Sequence, residues 1–371
     1  MKTFLILLFS GLALGAVYSL VALGFVVIYR SSQVFNFAHG EFLAFGAFLM
    51  ASTTSTDALE VQAMKKLLSL AGWLSLVGGA LLMGWWFWQK WKRRKRSSQG
   101  GTPFPTNVWV AGGCGVVLLL LAPQAKWFTG LPWVVGLLIA MVATGTLAAL
   151  TERIFLRPMV GQPIFATIIL TIFLGFLLRT GMLVLWGTDT RYLSTPWDPL
   201  AEVKMLGQAI SLNDLLTMGA GLLALLSFFL VMRYTKLGVA MRATSNDQEA
   251  ALSLGIPVGR IFGATWFMAG MFAAFAGVFL ILPPKDLDAN VGYIALNAFP
   301  AMIIGGLDSA AGAVIAGLAL GLLEVMTKGY INPHLGEFGK NFHTVFPYLA
   351  MILFLMVRPY GIFGSKEVKR V

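Results

Sequence analysis

Four ionisable residues, His39, Glu41, Arg179 and Glu324, fall within apolar stretches of the sequence. An ionisable side chain in hydrocarbon is expensive, so it faces a cavity, a partner or the watery edge of the membrane. His39 and Glu41 are expected near the cytoplasmic edge, where they either pack and gate or touch a passing solute. Arg179, close to the outer end of its stretch, either snorkels or joins the path. Thr167 and Thr171 stand one turn apart on one helix face, and their hydroxyls either line a polar path or bond back to their own helix. Asn36 either caps the helix that follows it or lends its amide to the path. Asn297 and Asp308 flank an apolar stretch interrupted at Gly305-Gly306. Irregular backbone at membrane depth is tolerated only inside protein or along a cavity, which makes this break the leading pathway candidate.

The chemistry such a set supports is binding and passage of a small polar solute, not bond-making. The chain has no G-x-x-x-x-G-K-S/T phosphate loop, so it is not expected to be an ATPase. His39, His334, His343 and the lone Cys114 form no metal-ligand cluster and no evident nucleophile and base pair, and Cys114 has no disulfide partner. An enzyme is therefore not expected, and no cofactor is expected on this chain.

The elements that must position these residues are membrane helices. Hydrophobic residues make up 58% and charged residues 12%, against roughly 25% charged in a soluble domain. Apolar runs such as Phe4 to Tyr29, Leu67 to Trp88 and Ile164 to Trp186 recur along the whole length, each near the roughly 20 residues a spanning helix needs. The first run resembles a signal peptide at its start but is too long, and is read as a retained helix. The net charge of +11 sits mainly in short loops, so it reports topology rather than nucleic-acid binding.

The basic run Lys90, Lys92, Arg93, Arg94, Lys95 and Arg96 marks the cytoplasmic side, and counting from it puts Glu152, Arg153 and Arg157 inside as well. The segment 233–260 becomes the longest cytoplasmic loop. Splitting Asn297 to Met326 at Gly305-Gly306 places the C-terminus inside and the N-terminus outside. The fold expected is an all-α, polytopic bundle of about 11 spans.

Within the cytoplasmic loop, Asp247 is placed to cap a short helix, Glu249 follows in its first turn, and Gly255 and Pro257 end it. Ala250 and Ala251 are small enough for a partner to approach closely. The spacing Glu249-Ala250-Ala251 to Gly255 resembles the coupling segment of ABC importer permeases, which docks on a cytoplasmic ATPase. A capped amphipathic loop helix is the plainer alternative for this segment alone.

Four further stretches occur in matching order: Asn36 to Glu41, Glu152 to Pro158, Ala301 to Leu307, and Arg358 to Gly364. Together they resemble the branched-chain amino acid permease family over residues 1 to 52 and 130 to 367. The resemblance implies about nine family spans within one permease domain, 1–371. It also implies a homologous second permease, two cytoplasmic ATPase subunits carrying ATP and Mg, and a periplasmic solute-binding protein. Urea, short amides or aromatic acids are alternative solutes within such a family. An ATP-independent transporter or channel is the competing class, and it leaves the coupling-like loop unexplained.

Residues 55–125 match nothing in that pattern and are read as an inserted hairpin with a basic cytoplasmic tip. Trp85, Trp86, Trp88, Trp91 and Trp109 cluster beside its charges, as indoles do at a membrane interface. Contact with anionic lipid is the expected role, a regulatory or partner-binding role the alternative. Gly270, Gly277, Gly312, Gly317 and Gly321 are expected to permit close helix packing.

Overall fold

The computed structural model describes residues 2–94, 117, 119–159, 161–205 and 207–364. The chain divides into two compact units, one formed by 1–50, 133–184 and 188–371, the other by 51–132 and 185–187. Six helices among the described residues are long and apolar enough to cross a membrane, and two shorter apolar helices accompany them. The protein is thus a polytopic helical membrane protein.

The larger unit is built around α1 (Lys2–Ser32), which is apolar on every side and buried along most of its length beyond Gly11, while Phe4 and Ile6 near its start are exposed. Its neighbour α11 (Ala310–Met326) runs antiparallel to it, and Gly11, Gly15 and Ser19 of α1 face Leu322, Gly321 and Gly317 of α11. A Cβ at Gly321 would lie 2.2 Å from the Gly15 nitrogen, so the two backbones touch. The other glycines behave the same way: Gly270 of α9 (Val258–Leu280) lies on Thr144 and Gly145 of α4 (Trp133–Thr151), and Gly277 lies on Leu43 of α2 (His39–Thr54). The remaining helices are α5 (Ile164–Trp186), α6 (Leu212–Tyr234), α10 (Val291–Gly305) and α12 (Phe342–Val357). Phe165, Phe173, Leu223 and Leu353 are exposed on α5, α6 and α12, an outer face suited to lipid or another apolar surface.

The split at Gly305-Gly306 is present. Gly306 has a φ of +105°, and Ser309 caps α11 by accepting from the Gly312 amide at 3.1 Å. Residues Ile362 and Phe363 close the turn by donating to the Ile304 and Gly305 carbonyls. Between α5 and α6 a hairpin pairs β1 (Glu202–Met205) with β2 (Gln208–Ser211), antiparallel with Val203 opposite Ile210.

In the smaller unit, α3 (Ala58–Arg94) is a continuous 37-residue helix, roughly 55 Å long. It begins well before the apolar run read from Leu67, because Ala63, Met64 and Leu68 already form a buried face among exposed Leu59, Lys65 and Lys66. Ser52 donates to Glu60 and receives a 2.7 Å hydrogen bond from the Trp186 indole. Cys114, Trp109, Lys95, Arg96 and the Gly100 to Pro103 turn lie outside the described residues, as do the side chains of Trp85, Trp86, Trp88 and Trp91.

Candidate functional site

Two places in the larger unit bring the sequence-read residues together. The first is the loop between α6 and α9. Helix α7 (Lys236–Asn246) is capped by Thr235, and α8 (Gln248–Ser253) is capped by Asp247, whose carboxylate accepts from the Ala250 amide at 2.9 Å. Gly255, at φ +81°, ends α8 in the left-handed conformation that glycine adopts without strain. Glu249, Ala250, Leu252, Ser253 and Leu254 are exposed, Leu254 at 79%. Ala251 departs from expectation: it is buried against Val258 and Phe262, so it fastens the knob to α9 and is not open to a partner. Leu252 and Leu254 carry the outward apolar surface, which a search for small residues overlooked.

The knob sits on a braced end of the bundle. Gln248 donates to the Ser31 carbonyl at the end of α1, and Arg157 donates to the Gly259 carbonyl at the start of α9 at 2.6 Å. Arg157 also grips the buried Glu152 with two bonds of 3.1 and 2.8 Å, a bidentate pair. Ser32, Gln33, Gln162, Thr167, Gln248 and Trp266 are among the residues lining a cavity of about 210 Å³ behind this end. A push on α8 therefore reaches α1 through Gln248 and α9 through Ala251, and through Gly259 of α9 it meets Arg157 in the turn after α4.

The second place lies deeper. Residues 33–38 fold back along α5, with Phe35 against Thr171 and Ala38 against Gly175, so α2 starts inside the bundle and not at its edge. His39 packs on Gly24 and on the Phe25 ring, 4.6 Å between centroids. Gly24 is roughly 12 Å from the Ser32 end of α1. This corrects the expectation of a hydrated edge: His39 is 0% and Glu41 7% exposed. Asn36 does serve the turn before α2, its side chain accepting from the Ala38 amide at 3.1 Å.

At this depth the first turns of α2 and α10 meet. A Cβ on Gly40 would lie 2.2 Å from the Gly292 carbonyl oxygen, and one on Gly292 would lie 3.0 Å from Glu41 Oε1. Arg179 of α5 reaches the same point. Its Nη1 is 3.9 Å from Glu41 Oε1, its Nη2 donates to Asn290 at 2.8 Å, and its guanidinium lies 4.3 Å from the centre of the Tyr293 ring. Arg179 thus turns inward and does not snorkel.

The other candidates disperse. Thr167 bonds back to the Pro163 carbonyl, and the Thr171 hydroxyl lies between the Ile168 and Phe35 carbonyls. Glu324 accepts from Tyr18 at 2.8 Å, and Asn297, one turn after Tyr293 in α10, accepts from Tyr348 at 3.2 Å. Gly305 is packed against Gly312, and Gly306 against Gly364. Asp308 lies in the turn that follows, so the break is a closed backbone crossing at the end that carries α8.

A family profile described as branched-chain amino acid transport system / permease component matches residues 7–98 and 106–355. The matched stretches run through both arms of the 55–125 segment. The high-affinity branched-chain amino acid transport system permease protein LivH of Escherichia coli K12 is 24% identical over 99% of this chain and 98% of its own length. The corresponding permease protein BraD of Pseudomonas aeruginosa PAO1 is 24% identical over 98% of this chain and 97% of its own. The galactofuranose transporter permease protein YtfT of E. coli K12 is 28% identical over 46% of this chain and 48% of its own. No solved structure matches significantly.

Proposed function

The chain belongs to the branched-chain amino acid transport system permease component family, and from that premise we propose that it moves branched-chain amino acids inward across the bacterial inner membrane as one subunit of an ABC importer. Its N-terminus lies outside and its C-terminus inside. A homologous second permease completes the pathway, two cytoplasmic ATPase subunits bind ATP and Mg, and a periplasmic binding protein delivers the solute. The segment 55–125 holds anionic lipid through its basic run, Lys90 to Arg96.

The observation that carries this assignment is the α8 knob. It is a capped helix with an exposed apolar tip at Leu252 and Leu254, fixed to α9 through Ala251 and to α1 through Gln248, with Arg157 bracing the start of α9. An exposed apolar tip on a capped helix suits docking in a groove of a partner. The sequence carries no G-x-x-x-x-G-K-S/T phosphate loop, and in this reading the knob is where outside work enters.

Reconstitution tests it. The subunit, its second permease and both ATPases, placed in vesicles with the loaded binding protein, should take up leucine only when ATP and Mg are supplied. Uptake that persists without ATP would identify a secondary transporter or channel instead, and uptake of urea but not leucine would move the substrate class.

A further inference from the structure

Among the described residues, the pairs Glu152–Arg157 and Glu41–Arg179 are built differently. Glu152 and Arg157 are joined by two hydrogen bonds, with Arg157 holding a backbone carbonyl as well. Glu41 and Arg179 approach by a single contact of 3.9 Å, with no hydrogen bond between them. Each keeps an enclosed polar atom without a partner among the described residues, Oε2 on Glu41 and Nη1 on Arg179. The side chains are 9% and 17% exposed, so solvent does little to satisfy these atoms. A pair kept for stability in such a place needs close geometry and full hydrogen bonding. This one has neither.

We propose that Glu41 and Arg179 are a separable pair that receives a zwitterionic amino acid in transit, Arg179 taking the α-carboxylate and Glu41 the α-ammonium. This rests on the amino-acid importer assignment above and adds the residues that read the substrate's charges. Arg179 is prepared for the task. Asn290 and the Tyr293 ring hold its guanidinium, leaving Nη1 free on the side facing Glu41. Gly40 and Gly292 let the first turns of α2 and α10 come into backbone contact beside the pair, where any side chain would strike backbone or the Glu41 carboxylate. The first turn of α2 adds its positive dipole end beside the anionic groups. Ile172 and Phe176 stand two turns and one turn below Arg179 on the same face of α5, exposed, and offer apolar contact to an aliphatic side chain.

Separation also explains release. Bridging both charges of an amino acid requires Arg179 and Glu41 to stand roughly 6–8 Å apart, two ordinary hydrogen bonds plus the width of the substrate's own charged end. When the helices return to the spacing seen here, the two side chains neutralise each other and the solute loses both partners. At no stage is either charge left buried alone, the state that costs most.

The test uses the complete transporter in vesicles, with leucine, the des-amino acid 4-methylpentanoate and urea as solutes. Glu41→Gln and Arg179→Gln should each lower leucine uptake at least tenfold in assembled complex, and the double Glu41→Gln/Arg179→Gln variant should remain as low as either single. Glu41→Asp and Arg179→Lys, which keep the charges, should retain uptake with a raised KM. Recovery of leucine uptake by the double variant to within twofold of the parent overturns the proposal, since it marks a structural pair. Singles that fail to assemble while the double assembles overturn it for the same reason, and singles that transport normally do so directly. If the parent takes up only urea, the amino-acid assignment fails together with the proposal; if it takes up leucine and the variants behave as a structural pair, the proposal alone fails.

Discussion

Replacing Leu254 with Ser separates docking from folding. In the free subunit Leu254 is 79% exposed at the tip of α8, and its amide is already satisfied by the Ala250 carbonyl. The substitution removes no packing, so thermal stability should change by no more than about 0.5 kcal/mol. In a docked state the same side chain is enclosed, and full burial of a leucine stabilises by about 1.5–3 kcal/mol. At 1.4 kcal/mol per decade that is about a 10- to 150-fold weaker hold on the ATPase. The assay is titration of purified ATPase subunits onto the detergent-solubilised permease pair, read by fluorescence anisotropy, with the thermal midpoint measured in parallel. Ala251→Leu is the control in the opposite sense, because Ala251 lies against Val258 and Phe262 and overfilling that contact costs about 1–3 kcal/mol of stability. Unchanged ATPase affinity for Leu254→Ser, with normal stability, would refute the docking surface.

Three further outcomes follow from the contacts. Gly40→Ala must place a methyl 2.2 Å from the Gly292 carbonyl oxygen; since backbone cannot step aside cheaply, a loss of about 1–3 kcal/mol or more is expected, seen as a lower aggregation temperature in detergent. Tyr18→Phe leaves the buried Glu324 carboxyl without its 2.8 Å donor and should destabilise by about 1–3 kcal/mol, checked by the same melt. A cysteine at 254 with Cys114 replaced by serine should react with a membrane-impermeant maleimide in inside-out vesicles and not in right-side-out ones; labelling from the outer side would reverse the topology.

The membrane class, the run of helices, the short capped helix after Asp247 and the broken segment at Gly305-Gly306 were legible in the chain because each depends on local properties. Apolar length gives a span, and a cap at Asp247 with a glycine at Gly255 gives a short helix. Glycine spacing at 317 and 321 likewise announces close packing, and the packing is there. Even so, the inward side of Ala251 was missed, because in a helix as short as α8 the periodicity is too brief to say which face is covered.

What only the tertiary structure decided is where ionisable residues meet. Glu41 and Arg179 are separated by most of the sequence's first half, and Gly292 lies farther on still. No spacing rule links them, since their encounter depends on residues 33–38 folding back beside α5 and on α10 starting at the same depth. The sequence alone placed ionisable residues within apolar stretches, where burial carries a cost. Which of them share that cost is set by the path of the backbone, because a pairwise electrostatic contact depends on distance in space and not on distance along the chain.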